Sequence, residues 1–255
     1  MRRMLATLAI VLVLAYATLC ALLFLAQRKM IYLPEYTRTA RDGTDYALAR
    51  DGIELRGWIV NPGQDSAIVY FGGNGESVQA NRDDFARWFP RRTVYLLAYR
   101  GYGASDGAPS GDALLDDALA FFDDVQTRHP DRPVSAIGRS LGSGIASHVA
   151  AQRPVDRLAL VTPFDSLANV AQSHYRWLPV RWLLRDRYPS VDFLRAYRGP
   201  VLMLRAGRDE VIPPANTDAL ERSLPRAHVV AIDEAGHNDI QAFPAYGEAL
   251  AAFLQ

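Results

Sequence analysis

The chain has 255 residues, 49% of them hydrophobic and 22% charged, with a formal net charge of zero. That is enough apolar material for one sizeable core, and the balanced charge argues against the long-range basic field of a nucleic-acid binder. The lone cysteine, Cys20, excludes intrachain disulfides and cysteine-based metal sites.

Met4 to Ala26 is a run of 23 residues without a charge, bounded by Arg2-Arg3 and Arg28-Lys29. As a helix it spans about 35 Å at ~1.5 Å per residue, against a hydrocarbon core of ~30 Å. Eight Leu with Ile10, Val11, Val13 and Phe24 favour insertion. A cleaved signal peptide is the competing reading, with Ala15-Tyr16-Ala17 as its small-residue cleavage site. The run continues nine residues past that site and stops at a basic pair. A single-pass anchor over 1–29 is therefore expected. Basic residues are nearly balanced across it, and the very short basic head favours placing 30–255 outside the cytoplasm.

From Ile31 onward, short apolar segments alternate with turn chemistry. Tyr46–Arg50 and Ile53–Val60 flank Asp51-Gly52, a two-residue hairpin signal. Ala67–Phe71 reads as a buried strand that enters the loop Gly72-Gly73-Asn74-Gly75. Gln79–Phe89 reads as a helix and Thr93–Ala98 as another buried strand. Gly111–Arg128 is the best amphipathic helix, with Leu114, Leu115, Ala118, Leu119, Phe122 and Val125 at helical spacing. Strands at Val134–Ile137, Leu158–Val161, Val201–Arg205 and Val229–Ile232 follow. Helices are expected over Leu141–Gln152, Ala215–Leu224 and Ile240–Leu254. This alternation predicts an α/β fold: a mostly parallel sheet covered on both faces, with an antiparallel hairpin at its start. The aromatic, apolar segment 164–198 breaks the alternation and reads as a small cap-like insertion over the strand ends, where such sheets bind ligands.

Gly138-Arg139-Ser140-Leu141-Gly142 matches G-x-S-x-G, a strand-to-helix turn that presents a serine hydroxyl at the top of a sheet. The Leu141 N–H, at the helix start, would face a developing oxyanion. The pattern alone is weak, because Gly103-Ala104-Ser105-Asp106-Gly107 matches it too. Ser105 lies among Gly, Asp and Pro residues and reads as part of a loop. Ser140 has an apolar strand before it and a helix after it, which makes it the candidate nucleophile.

A serine hydroxyl needs a base, and the base needs an orienting acid. Folds built on this elbow carry them in the order Ser, acid, His. His237, in Ala235-Gly236-His237-Asn238-Asp239, follows a strand at the expected edge. His174 falls in the insertion and His228 at the wrong end of a strand. Asp209, in Gly207-Arg208-Asp209, follows the preceding strand and is the candidate acid. Asp165, also placed after a strand, is the second candidate. Asn74, after the glycine pair, is chosen as the second oxyanion donor through its backbone N–H. A phosphate-cradling reading of that loop lacks the Lys-Ser/Thr of a P-loop.

Together, Phe71-Gly72-Gly73-Asn74, Tyr99-Arg100-Gly101-Tyr102-Gly103, the Ser140 elbow, Gly207-Arg208-Asp209 and Gly236-His237-Asn238, behind the leading apolar run, resemble the membrane-anchored α/β-hydrolase-domain family. That family includes protein depalmitoylases, lysophospholipid lipases and many bacterial members of unassigned function. The resemblance runs from about residue 30 to the C-terminus, with Gly72 standing where many relatives have His. It implies the α/β-hydrolase fold and hydrolysis of esters or thioesters of acyl or lipid-like small molecules, with no metal or organic cofactor required. A peptidase on the same three residues and a non-catalytic binding protein are the alternatives.

Overall fold

The computed structural model describes residues Met1–Gln255. The chain opens with a single helix, α1 (Arg2–Ile31), that is long and apolar enough to cross a membrane by length and composition. Its first half touches little else, and its leucines stand exposed. Its second half lies along the segment 164–198 from Tyr16 onward, with Gln27 buried.

One eight-stranded sheet organises the rest, in the order β1-β2-β4-β3-β5-β6-β7-β8. β1 (Tyr46–Arg50) and β2 (Ile53–Val60) form the antiparallel hairpin expected at Asp51-Gly52. Both turn residues have positive φ, 48° and 78°, the primed-turn geometry whose twist matches the flanking strands. β2 runs antiparallel to β4 (Arg92–Leu97). From β4 across the sheet, β3 (Ser66–Phe71), β5 (Val134–Arg139), β6 (Leu158–Val161), β7 (Val201–Arg208) and β8 (His228–Gly236) are all parallel. The carboxyl ends of these strands therefore share one edge of the sheet.

Parallel strands need crossovers, and helices supply most of them. α2 (Arg82–Trp88) joins β3 to β4, α3 (Gly111–Arg128) joins β4 to β5, and α4 (Leu141–Gln152) joins β5 to β6. Between β6 and β7 the insertion folds into α5 (Leu167–His174), α6 (Val180–Leu183) and α7 (Ser190–Leu194). α8 (Pro214–Ser223) and α9 (Pro244–Leu254) complete the chain. Adjacent residues of a strand face opposite sides of a sheet. In β3, Tyr70 packs edge-on against Phe85 of α2, while Phe71 packs against Phe121 of α3. Both faces are thus covered, which is why Ala67–Phe71 is apolar throughout and fully buried.

Several expected boundaries move. The helix expected over Gln79–Phe89 is a 3₁₀ turn over Val78–Asn81 followed by the shorter α2. The Asn81 amide is turned to Val78 O and Glu76 Oε1. The last helix does not begin at Ile240: a 3₁₀ turn over Ile240–Ala242 ends at extended Phe243, and α9 starts at Pro244. Proline lacks the N–H to continue a helix and pushes the preceding residue out of helical geometry. β5, β7 and β8 all run past their apolar cores, because backbone pairing needs no apolar side chain.

α9 closes on α2 through a glycine. A Cβ at Gly247 would lie 2.4 Å from Cε2 of the Trp88 indole. Gly247→Val should lower stability by about 1–3 kcal/mol through overpacking, read as a drop in thermal midpoint of the full chain in detergent. An unchanged midpoint would show that the two helices can part without cost.

Candidate active site

β5 gives way to α4 at Ser140, whose backbone sits at φ 50° and ψ −116°. Such a conformation costs a residue other than glycine about 1–3 kcal/mol unless its surroundings hold it. They do. The Ser140 N–H donates to Val161 O at 2.9 Å, and Ser140 O accepts from the Ser143 N–H at 2.8 Å. The turn is too tight for side chains beside it. A Cβ at Gly138 would fall 2.3 Å from Gly142 O, and one at Gly142 would fall 2.0 Å from Phe71 O. The strained turn lifts the Ser140 hydroxyl to the carboxyl edge of the sheet.

β8 ends at Gly236, and the turn after it carries His237 to that same edge. Asp239 Oδ1 closes the turn by accepting from the Gly236 N–H at 2.7 Å. His237 Nε2 lies 2.8 Å from Ser140 Oγ, and His237 Nδ1 lies 2.8 Å from Asp209 Oδ2. A carboxylate opposite Nδ1 keeps the proton there and leaves the Nε2 lone pair to accept from the serine hydroxyl. Asp209 is anchored in turn: its Oδ1 accepts the N–H groups of Val211 and Ile212 at 2.9 and 2.7 Å. The His237 and Asp209 side chains are only 7% exposed, so the pair is shielded from competing water.

The loop after β3 lies against the elbow. A Cβ at Gly73 would be 3.6 Å from Ser140 Cβ. The Gly73 N–H is taken by Glu76 Oε2 at 2.6 Å, whereas the Asn74 N–H donates to no group of the protein. Leu141 is the first residue of α4, so its N–H is among the helix donors without an intrahelical partner. The structure thus brings both N–H groups singled out in the sequence to the loop and helix start beside Ser140.

Four side chains that sequence reasoning gave no role hold this loop in shape. Glu76 accepts from Tyr70 Oη at 2.6 Å and Asn81 Nδ2 at 2.8 Å, and the Arg139 guanidinium lies 3.7 Å from it. The Tyr99 hydroxyl donates to Gly72 O at 2.9 Å. The Tyr102 hydroxyl donates to Asn74 Oδ1 at 2.9 Å, and burial pushes its pKa up to about 12, so it stays a neutral donor at physiological pH. Tyr99 and Tyr102 carried a signal, because they follow β4 directly at the functional edge. Glu76 and Arg139 carried none, since only the folded loop brings them together.

A family model described as "Serine aminopeptidase, S33" matches residues 63–194, and one described as "TAP-like protein" matches 179–255. The chain belongs to the α/β-hydrolase family. An uncharacterised protein of Mycobacterium tuberculosis is 33% identical to this hydrolase over 84% of the chain and 81% of its own length. The α/β hydrolase domain-containing protein WAV2 of Arabidopsis thaliana is 29% identical over 76% of the chain and 74% of its own. The lysophosphatidylserine lipase ABHD12 of Mus musculus is 33% identical over 47% of the chain, but only 35% of the lipase is covered. Among solved structures, the Pyrococcus furiosus esterase Pf2001 superposes with a TM-score of 0.67 at 16% identity, covering 85% of this chain and 94% of the esterase. Est1E of Butyrivibrio proteoclasticus with bound ferulic acid reaches 0.69 at 18% identity, covering 82% and 98%. At that identity these two show a shared fold. With the serine aminopeptidase family model matched over residues 63–194, the protein is a hydrolase.

Other candidates in the hydrolase are engaged elsewhere. Asp165 accepts from the Ser166 N–H at 2.7 Å and from Asn216 Nδ2 at 2.8 Å, and also takes an Asn169 amide. It makes no bond to His237. His174 bonds Val211 O from an exposed position, and His228 is exposed at the start of β8. Ser105 is buried: its hydroxyl donates to Ala98 O at 2.7 Å and accepts the Arg56 N–H at 2.8 Å. Ser105→Ala strands both partners and should lower stability by about 1–3 kcal/mol. Denaturant unfolding reads that loss, while labelling by a fluorophosphonate should persist. Loss of labelling in a folded Ser105→Ala protein would put this second G-x-S-x-G at the chemistry.

Proposed function

We propose that this protein is a membrane-anchored serine hydrolase that cleaves carboxylic ester or thioester bonds of acyl or lipid-like substrates. The observation that carries the reading is the continuous hydrogen-bonded path from Ser140 Oγ through His237 to Asp209. His237 Nε2 takes the Ser140 proton as Oγ attacks the substrate carbonyl. The oxyanion receives the N–H groups of Leu141 and Asn74, preorganised at the start of α4 and in the Gly72–Glu76 loop. As the tetrahedral intermediate collapses, His237 gives that proton to the leaving oxygen or sulfur. Water, deprotonated by the same nitrogen, then releases the acid from Ser140. Asp209 holds the Nδ1–H and steadies the imidazolium.

The lipid-like substrate class is supported by the lipase relative, named for lysophosphatidylserine, and by α1. We assign α1 to a single membrane crossing, from its length and its uncovered apolar surface. A peptidase on the same residues is the second reading, favoured by the aminopeptidase description of the matching family. Parallel assays with an acyl ester and the matching amide separate the two.

Ser140→Ala should abolish both fluorophosphonate labelling and ester turnover. Asp209→Asn should lower kcat by about four orders of magnitude without unfolding the protein, and Asp165→Asn should leave most activity. Inactivation by Asp165→Asn with normal turnover in Asp209→Asn would reverse the assignment. For the anchor, the full chain should stay with membranes through alkaline carbonate extraction. A mature N-terminus near Thr18 by mass spectrometry would instead make the run a cleaved signal.

A further inference from the structure

Resting on the anchored serine-hydrolase reading above, we propose that the cleft between α1 and the insertion is the acyl-chain site, and that it takes one chain of a membrane lipid ester directly from the bilayer.

The cleft is apolar and shaped for a chain. It holds about 330 Å³ and is lined by 13 residues, 12 of them hydrophobic. That volume suits a small ligand. Leu19, Leu23 and Ile31 form one wall, and Ala171, Leu178 and Leu183 belong to the other. From Leu19 to Ile31 the helix rises about 18 Å, so the cleft is long rather than round. The one polar lining residue, Gln27, is tied to the protein. Its amide donates to Phe24 O at 2.7 Å and Leu183 O at 3.2 Å, and its Oε1 accepts the Arg185 N–H at 2.8 Å. An occupant therefore finds no free amide N–H at Gln27.

The position of the insertion along α1 indicates where that occupant comes from. The Tyr16 hydroxyl donates to Trp177 O at 2.7 Å, and Tyr16 is near the middle of the apolar run. If the insertion stayed in water, only Met4–Ala15 would remain for the bilayer. Those residues span about 18 Å, well short of the ~30 Å hydrocarbon core. The run can cross only if the edge of the insertion enters the membrane beside it. That edge is built for it: Trp177 and Trp182 are 60% and 87% exposed, and Arg176, Arg181 and Arg185 stand among them. Aromatic rings and long basic side chains are suited to a membrane interface. The cleft between these two elements then opens on lipid tails.

From its inner end the chain runs to the loop beside the reacting serine. Ile31 lines the cleft, and two residues later the Leu33 N–H donates to Asn74 Oδ1 at 3.2 Å. Asn74 follows Gly73, which abuts Ser140. The walls are clamped there as well. Asp186, 4% exposed, accepts from Arg28 Nε at 3.2 Å and Tyr32 Oη at 3.0 Å. An acyl chain lying along α1 would bring its carbonyl end toward the loop beside Ser140.

The test uses the full chain in nonionic detergent with an ethyl and a dodecyl fluorophosphonate, reading the rate of Ser140 modification by mass spectrometry. Each buried methylene should raise the rate about fourfold until the cleft is full, so the dodecyl probe should react much faster. Ala171→Phe and Leu23→Trp fill the cleft from opposite walls. Each should slow the dodecyl probe at least tenfold while leaving the ethyl probe within about twofold. Leu23→Trp changes the anchor surface outside the main core and carries the test if Ala171→Phe does not fold. Ser140 labelled by both probes with an unchanged rate ratio in the variants overturns the acyl-chain site and leaves the serine-hydrolase reading standing. Ser140 unlabelled by either probe in the wild-type protein removes that reading, and the acyl-chain site with it.

Discussion

The Ser140 backbone is held in a conformation that an L-residue avoids, and the surrounding chains are arranged to keep it there. A strand cannot turn directly into a helix while presenting a side chain outward unless one residue takes positive φ. The cost, about 1–3 kcal/mol, is offset by sheet pairing on both sides: Gly138 is in register with Phe71 on β3 and with Leu160 on β6. Two glycines then become obligatory for a reason separate from flexibility. At Gly138 and Gly142, backbone oxygens occupy the space that a Cβ would need. That close approach brings the β3 strand end against the first turn of α4, and so sets a loop N–H and a helix N–H beside the same hydroxyl.

The rest of the proposed site follows from this packing. Once the Gly72–Glu76 loop is pressed against the elbow, its own polar groups must be satisfied. Glu76 accepts three hydrogen bonds and lies near Arg139, Tyr99 takes Gly72 O, and Tyr102 takes the Asn74 side chain. The Asn74 N–H is left without a protein partner. Donors already aimed where charge will develop need no reorganisation during reaction. The same loop receives Leu33, where the chain leaves α1. The element that would sit in the membrane and the loop that would hold the oxyanion are therefore mechanically joined. Burial of Tyr32, Asp186 and Tyr188 in one hydrogen-bonded cluster, with half-exposed Arg28 on Asp186, makes that junction rigid.

Much of the fold was legible along the chain. The Asp51-Gly52 hairpin, the boundaries of Gly111–Arg128 and Leu141–Gln152, and the buried strands at Ala67–Phe71 and Leu158–Val161 all follow from local chemistry: primed-turn residues, helical periodicity and continuous apolar runs. Less legible were elements whose extent is set by neighbours. β8 runs on past Ile232 through a register shift and pairs again at Gly236 with Arg208 of β7, and no hydropathy pattern records that. The start of α9 was readable in Pro244 but was masked by the apolar residues before it.

The linear sequence determined which residues were candidates: G-x-S-x-G twice, carboxylates after two strands, histidines in three places, and a helix-length apolar run. Chain order and local context separated Ser140 from Ser105 and favoured Asp209, because a nucleophile elbow needs a strand before it and a helix after it. Only the tertiary structure decided the contacts across the sheet edge. It placed His237 2.8 Å from both Ser140 and Asp209, engaged Asp165 with Asn169 and Asn216, and laid α1 along the insertion. Apart from the Asp165–Asn169 bond, those contacts join residues tens to more than a hundred positions apart. Their geometry depends on strand order and packing, which no local stretch of the chain encodes.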